Sequence, residues 1–114
     1  MMDQTLISQI RREISAHRVV LFMKGTPEFP HCGFSAAVVA ALDRVGTPFK
    51  AVNVLREPAL RQALKEYSAW PTFPQLYVDG TFIGGSDIVR EMYEAGELNM
   101  LFHGKPSEES LMQA

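Results

Sequence analysis

The sequence is poor in sulfur nucleophiles, since only one of its 114 residues, Cys32, is a cysteine. A single thiol excludes an internal disulfide, and it excludes a zinc or iron–sulfur site built from several cysteines of one chain. Such sparing use of cysteine is typical of proteins that work in a reducing compartment.

Charge of one sign and long apolar runs are also missing. The 11 lysines and arginines meet 13 acidic residues, so the chain lacks the basic field that a nucleic-acid backbone requires. The apolar run Val19–Met23 is far too short to cross a bilayer, and the N-terminus has no apolar centre of a secretory signal. We therefore expect no nucleic-acid or membrane partner. The expected location is the cytoplasm of a bacterial-type cell; the mature form of an organellar protein is the alternative.

The length and the 46% hydrophobic content predict a single domain over residues 1–105, followed by a polar tail over 106–114 that is expected to fray. Apolar periodicity and turn residues predict five helices and four strands. The first half of the chain contains a helix over 3–17, a strand over 19–23, a helix after Cys32 and a strand over 49–54. The helix after Cys32 is expected to bury Phe34, Val38, Leu42 and Val45 and to stop at Gly46. The second half contains a helix from Pro58, a hairpin of strands 75–79 and 81–83, a helix capped by Ser86 and Asp87 that ends at Gly96, and a short helix near 98–102.

This order predicts an α/β fold. The first strand, helix and second strand follow each other within about 35 residues, which favours parallel strands with a right-handed crossover. A further helix leads to the hairpin around Asp79-Gly80. The sum is a four-stranded mixed sheet flanked by helices on both faces. That is the thioredoxin-like arrangement, in which the reactive group belongs at the first strand-to-helix junction.

Cys32 occupies that junction. The free N–H groups and the dipole of a helix N-terminus favour negative charge, and they lower the pKa of a thiol placed there. The alternative is an inert, buried cysteine that packs as a small apolar residue. The glycine, prolines and polar residues around Cys32 favour the reactive thiol.

The fourth position of the Cys32-Gly33-Phe34-Ser35 motif carries a hydroxyl, where thioredoxin-type sites have a second thiol. A hydroxyl cannot displace a disulfide sulfur, so a mixed disulfide at Cys32 needs an external thiol to resolve it. A [2Fe–2S] cluster needs four ligands, so two chains would supply two thiolates and small thiols the others. Both uses require a small-thiol partner beside Cys32.

Five further residues are candidates for binding such a partner. Lys24 lies on the same rim as Cys32, and Arg61 lies early in the third helix; the alternative for both is an ordinary surface cation. The segment Thr72-Phe73-Pro74 suits a cis bond that exposes the Phe73 backbone, or else a plain rigid loop. Ser86 and Asp87 stand at a helix N-terminus that suits a carboxylate, with Asp87 facing an amino group, or they are simple helix caps.

Four segments carry a resemblance to a known family: residues 23–30, 32–35, 70–78 and 84–88. The chain resembles the monothiol glutaredoxins with a Cys-Gly-Phe-Ser active site, in particular their short, single-domain members, over about residues 5–103. The resemblance implies a glutathione-binding thioredoxin fold. It also implies a [2Fe–2S] cluster held between two protomers by the active-site cysteine and one glutathione from each.

The resemblance further implies a role for each candidate. Cys32 is the cluster ligand and the thiol that forms a mixed disulfide. Lys24 and Arg61 hold glutathione carboxylate, and the backbone of Phe73 pairs with the cysteinyl unit. Ser86 and Asp87 bind the γ-glutamyl end, although position 86 is a cysteine in some members.

Three functions are open at this point. The first is a carrier that stores a [2Fe–2S] cluster or hands it to acceptor apoproteins as a homodimer. The second is a glutathione-dependent reductase of protein mixed disulfides. The long loop from Lys24 to Cys32 resembles that of the cluster-binding class, in which reductase activity is weak, so it favours the carrier. The third is an adaptor that acts through heterodimers with BolA-like proteins.

Overall fold

The apolar run Val19–Met23 forms the central strand of the sheet, and every one of its residues is buried. The computed structural model describes residues 3–104; the polar tail predicted for 106–114 lies outside them, and the single domain over 1–105 stays a prediction. In chain order the elements are α1 Gln4–Ala16, β1 Val19–Met23, α2 Gly33–Val45, β2 Lys50–Asn53, a 3-10 turn Val54–Arg56, α3 Pro58–Ser68, β3 Gln75–Val78, β4 Thr81–Gly84, α4 Ser86–Glu94 and α5 Glu97–His103.

The four strands form one mixed sheet in the order β2-β1-β3-β4. Strands β1 and β2 are parallel and are joined by α2, with Leu21 opposite Ala51. Strand β3 runs antiparallel to β1, and β4 antiparallel to β3. Asp79 and Gly80 turn this hairpin with φ angles of 51° and 78°, as an Asp-Gly turn requires. The predicted thioredoxin-like arrangement is confirmed.

Helices cover both faces of the sheet because successive residues of a strand point to opposite sides. Val19, Leu21 and Met23 pack against α2, α4 and α5 in one core. Val20 and Phe22 belong to the other core, which α1 and α3 close. The continuous apolar pattern of β1 therefore reflects a strand that is buried on both faces.

Three local predictions were wrong. Phe34 is 64% exposed, because the first turn of α2 borders a cleft and not the core. The second strand ends at Asn53, whose side-chain oxygen accepts the N–H of Leu55 at 3.0 Å and turns the chain into the 3-10 segment. The N-cap of α4 is Gly85, and no side chain caps that helix. Among the described residues, no helix is long and apolar enough to span a membrane.

Candidate functional site

A tight loop between β1 and α2 positions Cys32. The N–H of His31 donates to the carbonyl of Lys24 at 3.0 Å, so the loop closes directly after the strand. Within it, Thr26 and Phe29 exchange backbone hydrogen bonds of 3.3 and 3.1 Å. The N–H of Gly25 donates to Asn53 Oδ1 at 3.0 Å, which ties the loop to the end of β2. These bonds hold the cysteine at the C-terminal edge of the sheet.

Gly25 is required by this loop. Its φ angle is +90°, a region that residues with a Cβ rarely adopt. A Cβ at this position would lie 2.5 Å from the carbonyl oxygen of Phe29 and 2.6 Å from Cδ2 of His31. The two sides of the loop therefore approach each other across a residue that has no side chain.

Cys32 is the N-cap of α2 and is half-buried. No side chain caps α2, so the N–H groups of its first turn are available to stabilise negative charge on the sulfur. The backbone N–H of Ser35 does most to lower the pKa of the Cys32 thiol, opposed by partial burial. The Phe34 N–H, the Lys24 charge and the Ser35 hydroxyl lower this pKa further, so the thiolate is favoured.

Ser35 also joins the loop to the helix. Its side chain is fully buried, and its Oγ accepts the N–H of Lys24 at 3.3 Å. Lys24 therefore lies beside the helix start with its backbone fixed on both sides, because its carbonyl accepts the N–H of His31. We call residues 24–35 the cysteine wall.

A second segment faces this wall. The Phe73–Pro74 peptide bond is cis, as one of the two sequence interpretations had it. Within residues 3–104, no hydrogen bond engages the backbone of Phe73, although its side chain is buried. The N–H and carbonyl of Phe73 are therefore open to an extended ligand, in the way that a sheet edge is.

The start of α4 completes the second side. A Cβ at Gly85 would lie 3.1 Å from Nε1 of Trp70 and 3.3 Å from the carbonyl oxygen of Pro74, so the indole packs directly on this glycine. Ser86 and Asp87 follow in the first turn of α4, where the helix dipole favours anions. Asp87 pairs loosely with Arg90 at 3.8 Å, and both are well exposed. We call residues 70–74 and 84–87 the proline wall.

A cleft of about 270 Å³ lies between the two walls. It is lined by Lys24, Cys32, Phe34, Trp70, Thr72, Phe73, Pro74, Gly85, Ser86 and Asp87. It therefore brings together five of the six predicted site residues; Arg61 on α3 is not in its lining. The Nε of Arg61 is nonetheless buried and has no hydrogen-bond partner among the described residues. This one N–H donor of Arg61 therefore lacks an acceptor.

A larger cleft, of about 350 Å³, lies on the α1 side of the sheet between Ile10, Val52 and Leu60. It contains neither the thiol nor any of the predicted site residues. Within residues 3–104, no group of three or more His, Cys, Asp or Glu side chains could hold a metal ion. The chemistry that the residues support is therefore that of one thiolate beside a cleft with a cation at one side and a carboxylate at the other.

Three residues that shape the site were not predicted. Asn53 anchors the loop at Gly25, and Ser35 was noted only for lacking a thiol. Gln75 was taken as the first residue of a strand, yet it is fully buried and its amide donates to the carbonyls of Trp70 and Thr72. A polar residue inside a fully buried strand was the signal that could have found Gln75.

Comparisons with known proteins agree with this geometry. The sequence profile of the glutaredoxin family matches residues 19–83. A probable monothiol glutaredoxin 2 of Rickettsia typhi is 50% identical over 101 residues, which cover 89% of this chain and 91% of that protein. Glutaredoxin 4 of Escherichia coli K12 is 50% identical over 97 residues, covering 85% and 84%.

Solved structures agree as well. Reduced poplar apo GrxS14 superposes with a TM-score of 0.75 at 50% identity, covering 96% of this chain and 94% of that one. A buckwheat glutaredoxin–glutathione complex shares the fold, with a TM-score of 0.74 at 23% identity over 83% of this chain and 84% of that one.

The sheet, its helices and the thiol at the first strand-to-helix junction define a protein of the thioredoxin-like class. Within this class the chain belongs to the glutaredoxin family. Its Cys-Gly-Phe-Ser motif, with Ser35 in place of a second thiol, and its relatives put it in the monothiol branch.

Proposed function

We propose that this protein binds glutathione in the cleft and carries a [2Fe–2S] cluster between two copies of the chain. Its role is to store the cluster or transfer it to acceptor apoproteins. The observation that carries the proposal is the lone, half-buried Cys32 thiol of lowered pKa at one wall of a cleft that holds no second thiol. A thiolate of this kind binds metals or attacks disulfides, and here either reaction needs a second thiol from outside the chain.

We assign glutathione to the groups that line the cleft and to Arg61 on α3. Glutathione is a peptide with two carboxylates, one amino group and one thiol. Lys24 and Arg61 are assigned to carboxylate, and the unsatisfied Arg61 Nε supports an acidic partner near α3. The open backbone of Phe73 is assigned to the cysteinyl unit. Ser86 and Asp87 are assigned to the γ-glutamyl end, where the α4 N-terminus suits its carboxylate and Asp87 its amino group.

The cluster is the cargo in this proposal, and the donor set limits how it is held. A [2Fe–2S] centre takes four ligands, and one chain offers one thiolate. Two copies of Cys32 and two glutathione thiolates complete the set, which makes the cluster-bound form a homodimer. Phe34 lines the same cleft as the thiol and is 64% exposed, so it is an apolar surface that we expect the second copy to cover.

Anaerobic reconstitution with iron, sulfide and glutathione tests the proposal. We expect a visible absorption spectrum and a solution mass of twice the monomer, both dependent on glutathione. Cys32→Ser removes the only thiolate, so it should lose both signals. The matched control is a reaction without glutathione. A wild-type protein that stays colourless and monomeric would refute the carrier, and a Cys32→Ser variant that keeps wild-type iron content would refute the ligand assignment.

A second function, glutathione-dependent reduction of protein mixed disulfides, is favoured by the same lowered pKa. The Cys32 thiolate attacks the glutathione sulfur of a protein–glutathione disulfide, and the protein thiolate leaves. A second glutathione thiolate then attacks the Cys32–glutathione disulfide, which releases glutathione disulfide and restores the Cys32 thiolate. Rapid turnover on a glutathionylated peptide would establish this activity; the carrier proposal predicts that it is weak.

The remaining partners follow from the carrier role. Acceptor apoproteins receive the cluster, and a BolA-like protein is a candidate for a heterodimer in place of the second copy. A chain with one free thiol of lowered pKa suits a reducing compartment, so we assign it to the cytoplasm. Size-exclusion chromatography of the loaded protein with such a partner would test the heterodimer.

A further inference from the structure

Strand β3 contains a residue that does not match its surroundings. All four of its residues are buried, and three of them are apolar or aromatic, but the first is Gln75 with an exposed fraction of 0%. A buried amide without partners costs stability, so the position must satisfy it.

The hydrogen bonds of Gln75 lead to the cleft. Its Nε2 donates to the carbonyl of Trp70 at 3.2 Å and to that of Thr72 at 3.3 Å. Its Oε1 accepts the hydroxyl of Tyr77 at 3.2 Å. The amide orientation is fixed by this set, because a flipped group would turn its oxygen towards two carbonyl oxygens. Both donors of the amide therefore hold the loop of the proline wall.

The hydroxyl of Tyr77 fixes the amide of Gln75 from the side of the α1–α3 core. Its ring is 1% exposed and lies edge-on to Phe22, with ring centroids 5.4 Å apart. Burial raises the pKa of its hydroxyl, which therefore remains protonated and donating at neutral pH. The network thus runs from the α1–α3 core to the carbonyls of the cleft.

Trp70 extends the effect to α4. Its indole lies 5.9 Å from the ring of Phe82, measured between ring centroids, and packs on Gly85. The backbone that carries this indole is the one that Gln75 holds. A shift of the loop would therefore move both the Phe73 backbone and the entry to α4.

We propose that Gln75, supported by Tyr77, is a positioning residue that sets the proline wall at the distance from Cys32 that a cleft ligand needs. The expected change in glutathione affinity rests on the glutathione-binding function proposed above, whereas the expected change in the position of the wall does not. Gln75 lines no part of the cleft and acts through the carbonyls of Trp70 and Thr72.

The test is Gln75→Met, which keeps an unbranched chain of similar length and removes all three hydrogen bonds. Trp70 is the only tryptophan, so its fluorescence reports on the wall directly. We expect a shifted emission maximum, stronger quenching by acrylamide, and an approximately tenfold loss of glutathione affinity by calorimetry. Tyr77→Phe removes one hydroxyl only and should give changes of the same direction and smaller size.

Val78→Ala is the matched control, because Val78 is buried in the same strand but faces the opposite core. It should lower stability and leave the Trp70 fluorescence and glutathione affinity unchanged. Equal fluorescence and affinity in Gln75→Met, Tyr77→Phe and wild type would overturn the proposal, as would equal affinity losses in Gln75→Met and Val78→Ala. If the wild type itself does not bind glutathione, the proposed function fails, and the fluorescence of the variants still decides whether Gln75 sets the wall.

Discussion

The two walls of the cleft are built in different ways. The cysteine wall is one continuous segment, closed by main-chain hydrogen bonds such as that between His31 and Lys24. The proline wall consists of two separate segments, and a buried side chain of β3, Gln75, holds one of them while Trp70 joins it to the other. The first wall therefore depends mainly on the backbone geometry of one segment, which Asn53 anchors at Gly25. The second depends on a buried side chain and on the packing of Trp70.

The largest expected effect tests the local character of the cysteine wall. Gly25→Ala combines an unfavourable φ of +90° with a clash of 2.5 Å against the carbonyl oxygen of Phe29. We expect a loss of about 3 kcal/mol in the free energy of unfolding, measured by urea denaturation.

Gly46→Ala is its control, since Gly46 has a φ of +81° but its Cβ would meet nothing within 4 Å. It should cost only about 1 kcal/mol, which is the conformational part of the penalty. Equal losses in the two variants would show that the close approach in the loop is unimportant, and the contrast between the walls would weaken.

The next effect concerns charge. Lys24 is the cation that lines the cleft, so Lys24→Ala should weaken glutathione binding by about 1–3 kcal/mol, measured by calorimetry. Lys50→Ala is the matched control, because Lys50 is exposed on β2 and lines only the other cleft. Unchanged affinity in Lys24→Ala would return this lysine to the class of surface cations.

The smallest expected effect is on the pH dependence of Cys32 alkylation, which should respond to changes in the cysteine wall and not to changes in the proline wall. All groups that lower the pKa of Cys32 belong to the cysteine wall. Because the thiolate is the reactive form, the rate of alkylation should rise with pH at a lower pH than for free cysteine. Lys24→Ala removes a positive charge, so the rise should move slightly to higher pH.

Asp87→Asn on the proline wall should leave the alkylation profile in place, since Asp87 is not among the groups that shift this pKa. A shift in this variant as large as that in Lys24→Ala would mean that the two walls share control of the sulfur. Iodoacetamide kinetics over a series of pH values measure both.

Much of the fold was predictable from local patterns. The apolar run of β1, the Asp79-Gly80 turn and the proline at the start of α3 each indicate an element by their own chemistry. The position of Cys32 at the start of α2 follows from the same patterns. The prediction that Phe34 is buried was wrong, because helical spacing alone cannot distinguish a position that faces the core from one that faces a cleft.

The supports of the site were harder to predict. Asn53 lies 28 residues from Gly25, and nothing in the sequence near either residue indicates that they meet. Gln75 is close in sequence to Trp70 and Thr72, but its role depends on the buried Tyr77 and on a loop that folds back over the strand. Roles of this kind arise from packing, which residue type and periodicity do not encode.

The contact between Gly85 and Trp70 limits how this protein can vary. Every other amino acid carries a Cβ, and at position 85 that atom would press on Nε1 of Trp70 at 3.1 Å. A side chain there would press the two segments of the proline wall apart, so Trp70 would have to move by a few tenths of an ångström. Neighbouring Ser86 is only partly buried, so a new side chain there has access to solvent. Laboratory evolution towards a different thiol ligand should therefore accept changes at position 86 more readily than at position 85.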